Sequence, residues 1–138
     1  YLPIDAVIAA GLDSGSTTQV IPVETGSIVP AGKMILDTGP ESIEMYIEEL
    51  SNAAAIIWNG PLGVFEVDPF GKGSFAIAEA LANLDAITIV GGGETAAIIA
   101  RSGNTEAFTH VSTGGGASLQ MLEGEVLPAI AALQDLPA

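Results

Sequence analysis

Cysteine is absent from the 138 residues, and histidine occurs only once, as His110. Without thiols the chain can form no disulfide bond, no thiolate nucleophile and no thiolate-bound metal centre. One imidazole is also too few for a zinc site built from histidines. The sequence therefore excludes thiol chemistry and histidine-bound zinc.

Basic residues are almost as scarce. Lys33, Lys72 and Arg101 stand against 17 acidic residues, and the formal net charge is −14. Nucleic acids and anionic membranes both attract basic surfaces, so neither is an expected partner. Acidity of this kind is typical of a solvated surface that keeps a protein in solution.

Long apolar runs are missing, although 49% of the residues are hydrophobic. No run approaches the roughly 20 residues that a membrane-spanning helix needs. The first residues also lack the basic region of a secretory signal peptide. Because the chain begins directly in an apolar strand, we expect it to be part of a longer protein.

Short β-branched runs alternate with helical patterns along the chain. The predicted strands are residues 3–10, 18–23, 34–37, 53–58, 86–90 and 108–112. The predicted helices are residues 38–50, 71–83, 94–101, 117–123 and 128–133. This alternation is typical of βαβ units. It predicts an α/β fold with a Rossmann-like, mainly parallel sheet and helices on both faces.

A strand, a glycine-containing turn and a helix follow one another four times, after Asp37, Trp58, Val90 and Ser112. In a parallel sheet these turns would all lie at the carboxyl ends of the strands, where open α/β sheets bind ligands. The sequence therefore predicts one ligand site at that edge.

Two of these turns are runs of three glycines, at residues 91–93 and 114–116. Glycines let backbone amides close on a phosphate, and the dipole of the following helix favours an anion. Alternatively, the glycines only permit tight turns and close packing. Their repetition at matching places favours phosphate binding. The common dinucleotide, P-loop and nucleophile-elbow patterns are absent.

Three further features each allow two interpretations. The loop of residues 59–66 is either a surface turn or a slot for an aromatic base, with Glu66 accepting from sugar hydroxyls. Glu94 either complements the dipole of its helix or holds a divalent cation, which favours oxygen ligands. His110 lies in an apolar strand, so it is predicted to be a hydrogen-bonded core residue rather than a catalyst.

Three long motifs resemble the phosphoglycerate kinase family, in that family's order and spacing. They are Trp58-Asn59-Gly60-Pro61-Leu62-Gly63-Val64-Phe65-Glu66, Gly91-Gly92-Gly93-Glu94-Thr95 and Ser112-Thr113-Gly114-Gly115-Gly116-Ala117-Ser118. Leu36-Asp37 with Gly39 and Leu122-Glu123-Gly124 with Leu127-Pro128 fit as well. The resemblance runs from about residue 2 to residue 133.

The resemblance implies that residues 1–138 form most of the C-terminal nucleotide-binding domain of such a kinase. The sheet would be incomplete at its N-terminal side, and the N-terminal substrate domain would be absent. The family transfers a phosphoryl group between 1,3-bisphosphoglycerate and ADP, giving 3-phosphoglycerate and ATP in glycolysis. It implies a cytoplasmic, monomeric enzyme that uses Mg²⁺ and takes its phosphoglycerate substrate through the missing domain.

The resemblance also implies roles for individual residues. Leu36, Gly63 and Val64 would line the adenine slot, and Glu66 would bind the ribose. The residues near the phosphates would be Asn59, Pro61, Gly92, Gly93 and Thr95, with Glu94 at the metal-binding place. The amides of Gly114, Gly115 and Gly116 would point at the transferring phosphoryl group.

Two departures from the family limit these expectations. Glu94 stands where the family usually has aspartate, and the family's Gly-Gly-Ala-Lys segment is missing. Three basic residues cannot neutralise a triphosphate and an acyl phosphate together. We therefore predict that the chain alone is inactive and binds nucleotide weakly or not at all. The alternatives are a non-catalytic α/β phosphate-binding module and an unrelated Rossmann-like protein that binds a dinucleotide.

Overall fold

A computed structural model describes residues 1–133 and shows two three-stranded sheets in that part of the chain. The first sheet contains β1 (Asp5–Ala9), β2 (Gln19–Pro22) and β3 (Met34–Thr38). The second contains β4 (Ala55–Asn59), β5 (Ile87–Gly91) and β6 (His110–Ser112). Residues 134–138 of the predicted domain lie outside the described part.

The second sheet is parallel and has the order β4-β5-β6. Val90 of β5 pairs with Trp58 of β4 and with Val111 of β6, so the apolar residues of the three strands lie side by side. The α/β class is confirmed. This sheet is the Rossmann-like part of the fold, and its carboxyl edge carries three of the predicted turns.

The first sheet is antiparallel, with the order β2-β1-β3. A parallel crossover needs a dozen or more residues and usually a helix. No helix lies between β1 and β3, so these strands return antiparallel. The prediction that the strand ending at Asp37 belongs to the parallel sheet is therefore wrong, although Thr38 Oγ1 still donates to the Leu62 carbonyl oxygen of the loop after β4 at 3.4 Å. Pro22 lies on the edge strand β2, as expected for a residue without an amide proton.

Five helices follow the predicted pattern, with ends that shift by a few residues. They are α1 (Pro40–Leu50), α2 (Lys72–Ala82), α3 (Gly93–Ser102), α4 (Gly115–Leu122) and α5 (Pro128–Ala131). Two 3₁₀ turns, Asp68–Phe70 and Thr105–Ala107, precede α2 and β6. Helix α2 packs against both α1 and α3, and α3 and α4 both contact β5.

The main core lies between the parallel sheet and these helices. Its fully buried members include Val90 from β5, Leu81 from α2, and Ile98 and Ile99 from α3. A second, smaller core joins Leu36 of β3 to Ala9 and Phe70. The loop between β4 and α2 contributes to both cores and so connects the two sheets.

Helix α1 is capped by a residue that is distant in sequence. The buried carboxylate of Asp5 accepts hydrogen bonds from the backbone amides of Ser42 at 2.8 Å and Glu41 at 3.1 Å, and from the Ser42 hydroxyl at 2.6 Å. These donors are in the first turn, where amides have no partner inside the helix. These three hydrogen bonds therefore fix the start of α1 against β1.

In residues 1–133 no helix is both long and apolar enough to cross a membrane.

Candidate functional site

The turn that follows β4 is held by two hydrogen bonds. The Trp58 indole donates to the Gly60 carbonyl oxygen at 2.7 Å, and the Gly60 amide donates to Thr95 Oγ1 at 2.8 Å. Gly60 has a φ of 98°, which favours glycine. The start of α3 and the end of β4 are thereby locked together at the carboxyl edge of the parallel sheet.

The two glycine runs touch each other at the same edge. The Gly92 amide donates to the Ser112 carbonyl oxygen at 3.0 Å. A Cβ on Gly92, whose φ is 98°, would lie 3.1 Å from Asn59 Oδ1, and one on Gly115 would lie 3.4 Å from Gly92 Cα. Asn59, the last residue of β4, therefore meets the glycine turns that follow β5 and β6, as predicted for turns at one edge of the sheet.

Helices α3 and α4 begin at this point, at Gly93 and Gly115. Their first amides have no intrahelical partner and carry the positive end of the helix dipole. Gly114, just outside α4, already donates its amide to Ser112 Oγ at 3.1 Å. Of the three predicted glycines of this run, Gly115 and Gly116 are therefore the ones whose amides belong to the first turn of α4. The arrangement can hold an anion with backbone groups alone.

Glu94 and Thr95 follow Gly93 but have different surroundings. The Glu94 side chain is exposed, whereas that of Thr95 is fully buried. The Thr95 hydroxyl accepts the Gly60 amide, so this side chain ties the loops together. Glu94 remains free to face a ligand. Among residues 1–133 no group of three or more His, Cys, Asp or Glu side chains could hold a metal ion.

Leu36, Gly63 and Val64 also come together. The Val64 amide, in the loop after β4, donates to the Leu36 carbonyl oxygen of β3 at 2.9 Å. A Cβ on Gly63 would overlap the Asp37 carboxylate and the Phe70 carbonyl oxygen. Glu66, at the end of the same loop, is exposed, and Pro61 is half-buried. The predicted adenine-lining residues are therefore neighbours and form one patch, in which the Leu36 side chain is buried in the smaller core.

Asp37 lies next to Gly63 of this patch, although sequence reasoning gave it no role there. It is buried, and its two carboxylate oxygens accept the amides of Thr38 and Gly73, each at 2.9 Å. Burial raises the pKa of Asp37, and the amides of Gly73, Thr38 and Lys72 oppose that shift. The sequence signal was an acid between an apolar strand and Thr-Gly-Pro.

Arg101 is a second residue that sequence reasoning left without a role in the site. Its Nη1 donates to the Phe65 carbonyl oxygen at 3.0 Å, and its guanidinium lies 5.6 Å and 5.2 Å from the ring centroids of Phe65 and Phe75. No sequence pattern predicts this contact, because the partners are 36 residues apart.

The prediction that His110 is a core residue was wrong. Its side chain is exposed rather than packed in the core. β6 begins only at His110 and pairs on one side with β5, so the histidine lies at the start of an edge strand. It lies at the opposite end of β6 from the glycine turn and takes no part in the candidate site.

The comparisons with known proteins agree with this geometry. The family model described as phosphoglycerate kinase matches residues 1–125. The phosphoglycerate kinase of Syntrophobacter fumaroxidans is 50% identical over 135 residues, which are 98% of this chain and 33% of that protein. That of Chloroflexus aggregans is 50% identical over 137 residues, covering 97% of this chain and 34% of the relative.

Solved structures give the same result. Phosphoglycerate kinase from Coxiella burnetii matches with a TM-score of 0.84 and 39% identity, over 95% of this chain and 32% of that chain. The enzyme from Pyrococcus horikoshii OT3 matches with a TM-score of 0.78 and 36% identity, over 96% and 32% respectively. The chain thus spans about a third of the length of these relatives. Both the sequence and the fold show that the chain belongs to the phosphoglycerate kinase family.

Proposed function

We propose that this chain provides the nucleotide side of a phosphoglycerate kinase. The reaction transfers a phosphoryl group between 1,3-bisphosphoglycerate and ADP, giving 3-phosphoglycerate and ATP. The observation that carries the proposal is the meeting of Asn59, Gly92 and Gly115 at the carboxyl edge of the parallel sheet, in a chain of this family. In this proposal, residues 1–138 form most of the C-terminal nucleotide-binding domain.

The phosphates of the nucleotide would lie against the glycine turns. Gly92 and Gly93 offer backbone that a phosphate can approach closely, and α3 adds its dipole. Asn59 and Pro61 border this position from the end of β4. Thr95 contributes through the first turn of α3 and through its bond to Gly60, which fixes the neighbouring turn.

The nucleoside would occupy the patch formed by Leu36, Gly63 and Val64. The half-buried side chain of Val64 and the backbone of Gly63 suit an aromatic base, whereas the side chain of Leu36 is buried. The exposed carboxylate of Glu66 ends the same loop and is able to accept hydrogen bonds from ribose hydroxyls. The backbone bond between Val64 and Leu36 holds the two sides of this patch in register.

Mg²⁺ would be held by Glu94. Magnesium in nucleotide sites commonly uses one or two carboxylates, with phosphate oxygens and water completing its shell. A single exposed carboxylate at the start of α3 fits that requirement. When bound, the ion neutralises charge on the phosphates. The extra methylene of glutamate, compared with the family's aspartate, has room because the side chain is not buried.

Catalysis would depend on positioning and on charge stabilisation by backbone amides. Phosphoryl transfer develops negative charge on equatorial oxygens, and preorganised donors stabilise that charge. Gly115 and Gly116 supply amides of the first turn of α4. Gly114 keeps its own amide on Ser112 Oγ, so it shapes the turn. We assign the catalytic contacts to this glycine run.

The second substrate must be bound by groups outside this chain. With three basic residues and a net charge of −14, the chain offers no cationic cluster for a bisphosphorylated acid. We therefore expect the remaining two-thirds of a family-length protein to bind 3-phosphoglycerate or 1,3-bisphosphoglycerate. Such a protein would act as a cytoplasmic monomer, on the family resemblance. The chain alone would be inactive.

Titration of the ¹⁵N-labelled chain with Mg·ADP tests the nucleotide assignment, because NMR detects weak binding. The amides of Gly92, Gly93, Val64 and Gly115 should shift, and a coupled assay should show no turnover. Stronger and more specific shifts with NAD would favour an unrelated dinucleotide-binding protein. Ordinary turnover by the chain alone would refute its predicted inactivity.

Reconstitution separates the kinase from a non-catalytic phosphate-binding module. The chain would be mixed with the part of the Syntrophobacter fumaroxidans enzyme that precedes the matched segment. Recovery of phosphoryl transfer supports the kinase, and the matched control is the same mixture with Gly115→Val, which fills the contact with Gly92. Nucleotide binding without any recovered activity would favour the module.

A further inference from the structure

The loop between β4 and α2 belongs to both cores of the molecule. Phe65 is buried in the main core, whereas Val64 and Val67 pack on the smaller core with Phe70. Neighbouring side chains of one loop therefore point to different cores. Any shift of the Phe65 backbone would move Val64 and Glu66, the residues assigned to the nucleoside, relative to the glycine turns.

Helix α3 holds this loop at two points. Near its start, Thr95 Oγ1 accepts the Gly60 amide at 2.8 Å. In its last turn, Arg101 Nη1 donates to the Phe65 carbonyl oxygen at 3.0 Å. Arg101 is the sixth residue after Thr95 in the helix, a rise of about 9 Å. One rigid element thus connects the phosphate end and the nucleoside end of the same loop.

The Arg101 contact is reinforced by two aromatic rings. The guanidinium lies 5.6 Å from the Phe65 centroid and 5.2 Å from the Phe75 centroid, within the range of cation–π attraction. Phe75 belongs to α2, so Arg101 joins α3, α2 and the loop. The planar guanidinium suits a role in which a side chain donates and stacks at once.

The space around Phe65 leaves its backbone little alternative position. A Cβ on Gly71 would lie 3.0 Å from Phe65 Cα and 3.1 Å from the Phe65 carbonyl oxygen. The loop is therefore packed against Gly71 on one side and hydrogen-bonded to Arg101 by the same carbonyl. Arg101 supplies the side-chain bond to Phe65. Earlier in the same loop, Ser74 Oγ accepts the Leu62 amide at 2.9 Å and Thr38 Oγ1 donates to the Leu62 carbonyl oxygen at 3.4 Å.

We propose that Arg101 is a positioning residue that sets the nucleoside end of the site, residues 64–66, at a fixed distance from the phosphate end. This inference rests on the proposed nucleotide binding. It assigns Arg101 no contact with the ligand. Its effect is on ligands that carry a nucleoside, since bare polyphosphates reach only the glycine turns at the start of α3.

The test compares Mg·ADP with Mg·tripolyphosphate on the full 138-residue chain, by NMR titration. Arg101→Met removes the donor and the charge while keeping an apolar stem. It should weaken Mg·ADP by roughly three- to tenfold, the usual effect of losing one hydrogen bond. Affinity for Mg·tripolyphosphate should stay within about twofold of the Lys33→Met control, since distant sites act independently.

Two control variants separate positioning from charge and from folding. Lys33→Met removes the same charge from the residue just before β3, where Lys33 Nζ donates to Gln19 Oε1 at 2.8 Å. Arg101→Lys keeps a cationic donor and should recover most of the Mg·ADP affinity. Equal losses for both ligands in Arg101→Met, or no loss for either, would overturn the proposal. Equal losses would mean that α3 itself had been disturbed.

Amide hydrogen exchange tests the same contact without a ligand. In Arg101→Met the Val64 and Val67 amides, which donate to Leu36 and Val64, should exchange faster. The Ala96 amide at the start of α3 should keep its rate. Unchanged exchange in the loop would refute the positioning role, whether or not the chain binds nucleotide. If neither the unsubstituted chain nor its reconstituted mixture binds Mg·ADP while the loop does respond, the nucleotide assignment fails and the positioning contact stands.

Discussion

At the scale of single residues, Asp37 links the site to pH. Burial raises its pKa above the ordinary value of 3.8, so the folded chain holds this proton more tightly than the unfolded chain. Below the pKa that Asp37 has in the unfolded chain, its protonated carboxyl contributes its full stabilisation to the folded chain. This stabilisation is lost as pH rises through the folded pKa.

Asp37→Asn removes this titration while keeping the shape of the side chain. The free energy of unfolding of the unsubstituted chain, minus that of Asp37→Asn, should therefore fall as pH rises above about 3.8 and then level off. Urea denaturation of both chains at a series of pH values measures the difference. The other acids are common to both chains and cancel. A difference that increased with pH would show that the amide donors of Gly73 and Thr38 outweigh burial.

Gly63 is a position at which a single methyl group should be costly. Its Cβ would overlap the Asp37 carboxylate and the Phe70 carbonyl oxygen, and neither can move freely in a packed interior. We expect Gly63→Ala to lower the free energy of unfolding by about 1–3 kcal/mol. Urea denaturation measures this change.

Gly93→Ala is the matched control for Gly63→Ala. A Cβ on Gly93 meets nothing within 4 Å, and Gly93 is the first residue of α3. Alanine is a better helix former than glycine, so this variant should be unchanged or stabilised by up to about 1 kcal/mol. Similar losses in both variants would refute the steric explanation for Gly63.

At the scale of elements, the joint between α3 and the end of β4, meaning the hydrogen bond from the Gly60 amide to Thr95, depends on one hydroxyl. Thr95 is fully buried, and its Oγ1 accepts the Gly60 amide at 2.8 Å. Thr95→Val keeps the volume and leaves the Gly60 amide without its partner. The expected loss of unfolding free energy is about 1–3 kcal/mol, the cost of a buried unsatisfied group.

Thr95→Ser tests whether the hydroxyl or the methyl group matters. Serine keeps the acceptor and loses only one methyl, so about 1 kcal/mol should be lost. NMR should also show the Gly60 amide resonance shifted in Thr95→Val and nearly unchanged in Thr95→Ser. If serine were the more damaging substitution, packing rather than the hydrogen bond would hold the joint.

Sequence patterns predicted the elements better than their pairing. Apolar spacing located the helices, and β-branched runs that end in glycine located β4 and β5, because local periodicity reflects which face is buried. The antiparallel first sheet was missed, since strand direction depends on connections rather than on composition. The cap of α1 was also missed, because Asp5 lies 36 residues from the amide of Glu41.

The candidate site was predictable where it is built from backbone groups. The glycine runs can be recognised in the sequence, and Gly92 and Gly115 are in contact in the structure. Asp37 and Arg101 carry no such signal, since each acts through a contact between distant segments. The core position predicted for His110 was wrong for a related reason. An apolar strand pattern does not show that a strand lies at the edge of its sheet.

At the scale of the whole molecule, the net charge of −14 opposes the compact state. Like charges repel one another in a folded chain, and salt screens them over about 10 Å at 0.1 M and about 3 Å at 1 M. We expect the urea midpoint of unfolding to rise as NaCl increases over this range. The rise should be steepest at low salt, where screening changes most.

A variant of α1 separates charge screening from the general effect of salt on apolar burial. Glu44 and Glu48 are exposed, lie one turn apart and repel each other. Glu44→Lys with Glu48→Lys reduces the net negative charge and keeps good helix formers. If repulsion limits stability, the double variant should have a higher midpoint at low salt and a smaller rise with NaCl. Salt effects on apolar burial are common to both chains, so parallel curves would mean that the charge of this chain has little influence on its folding.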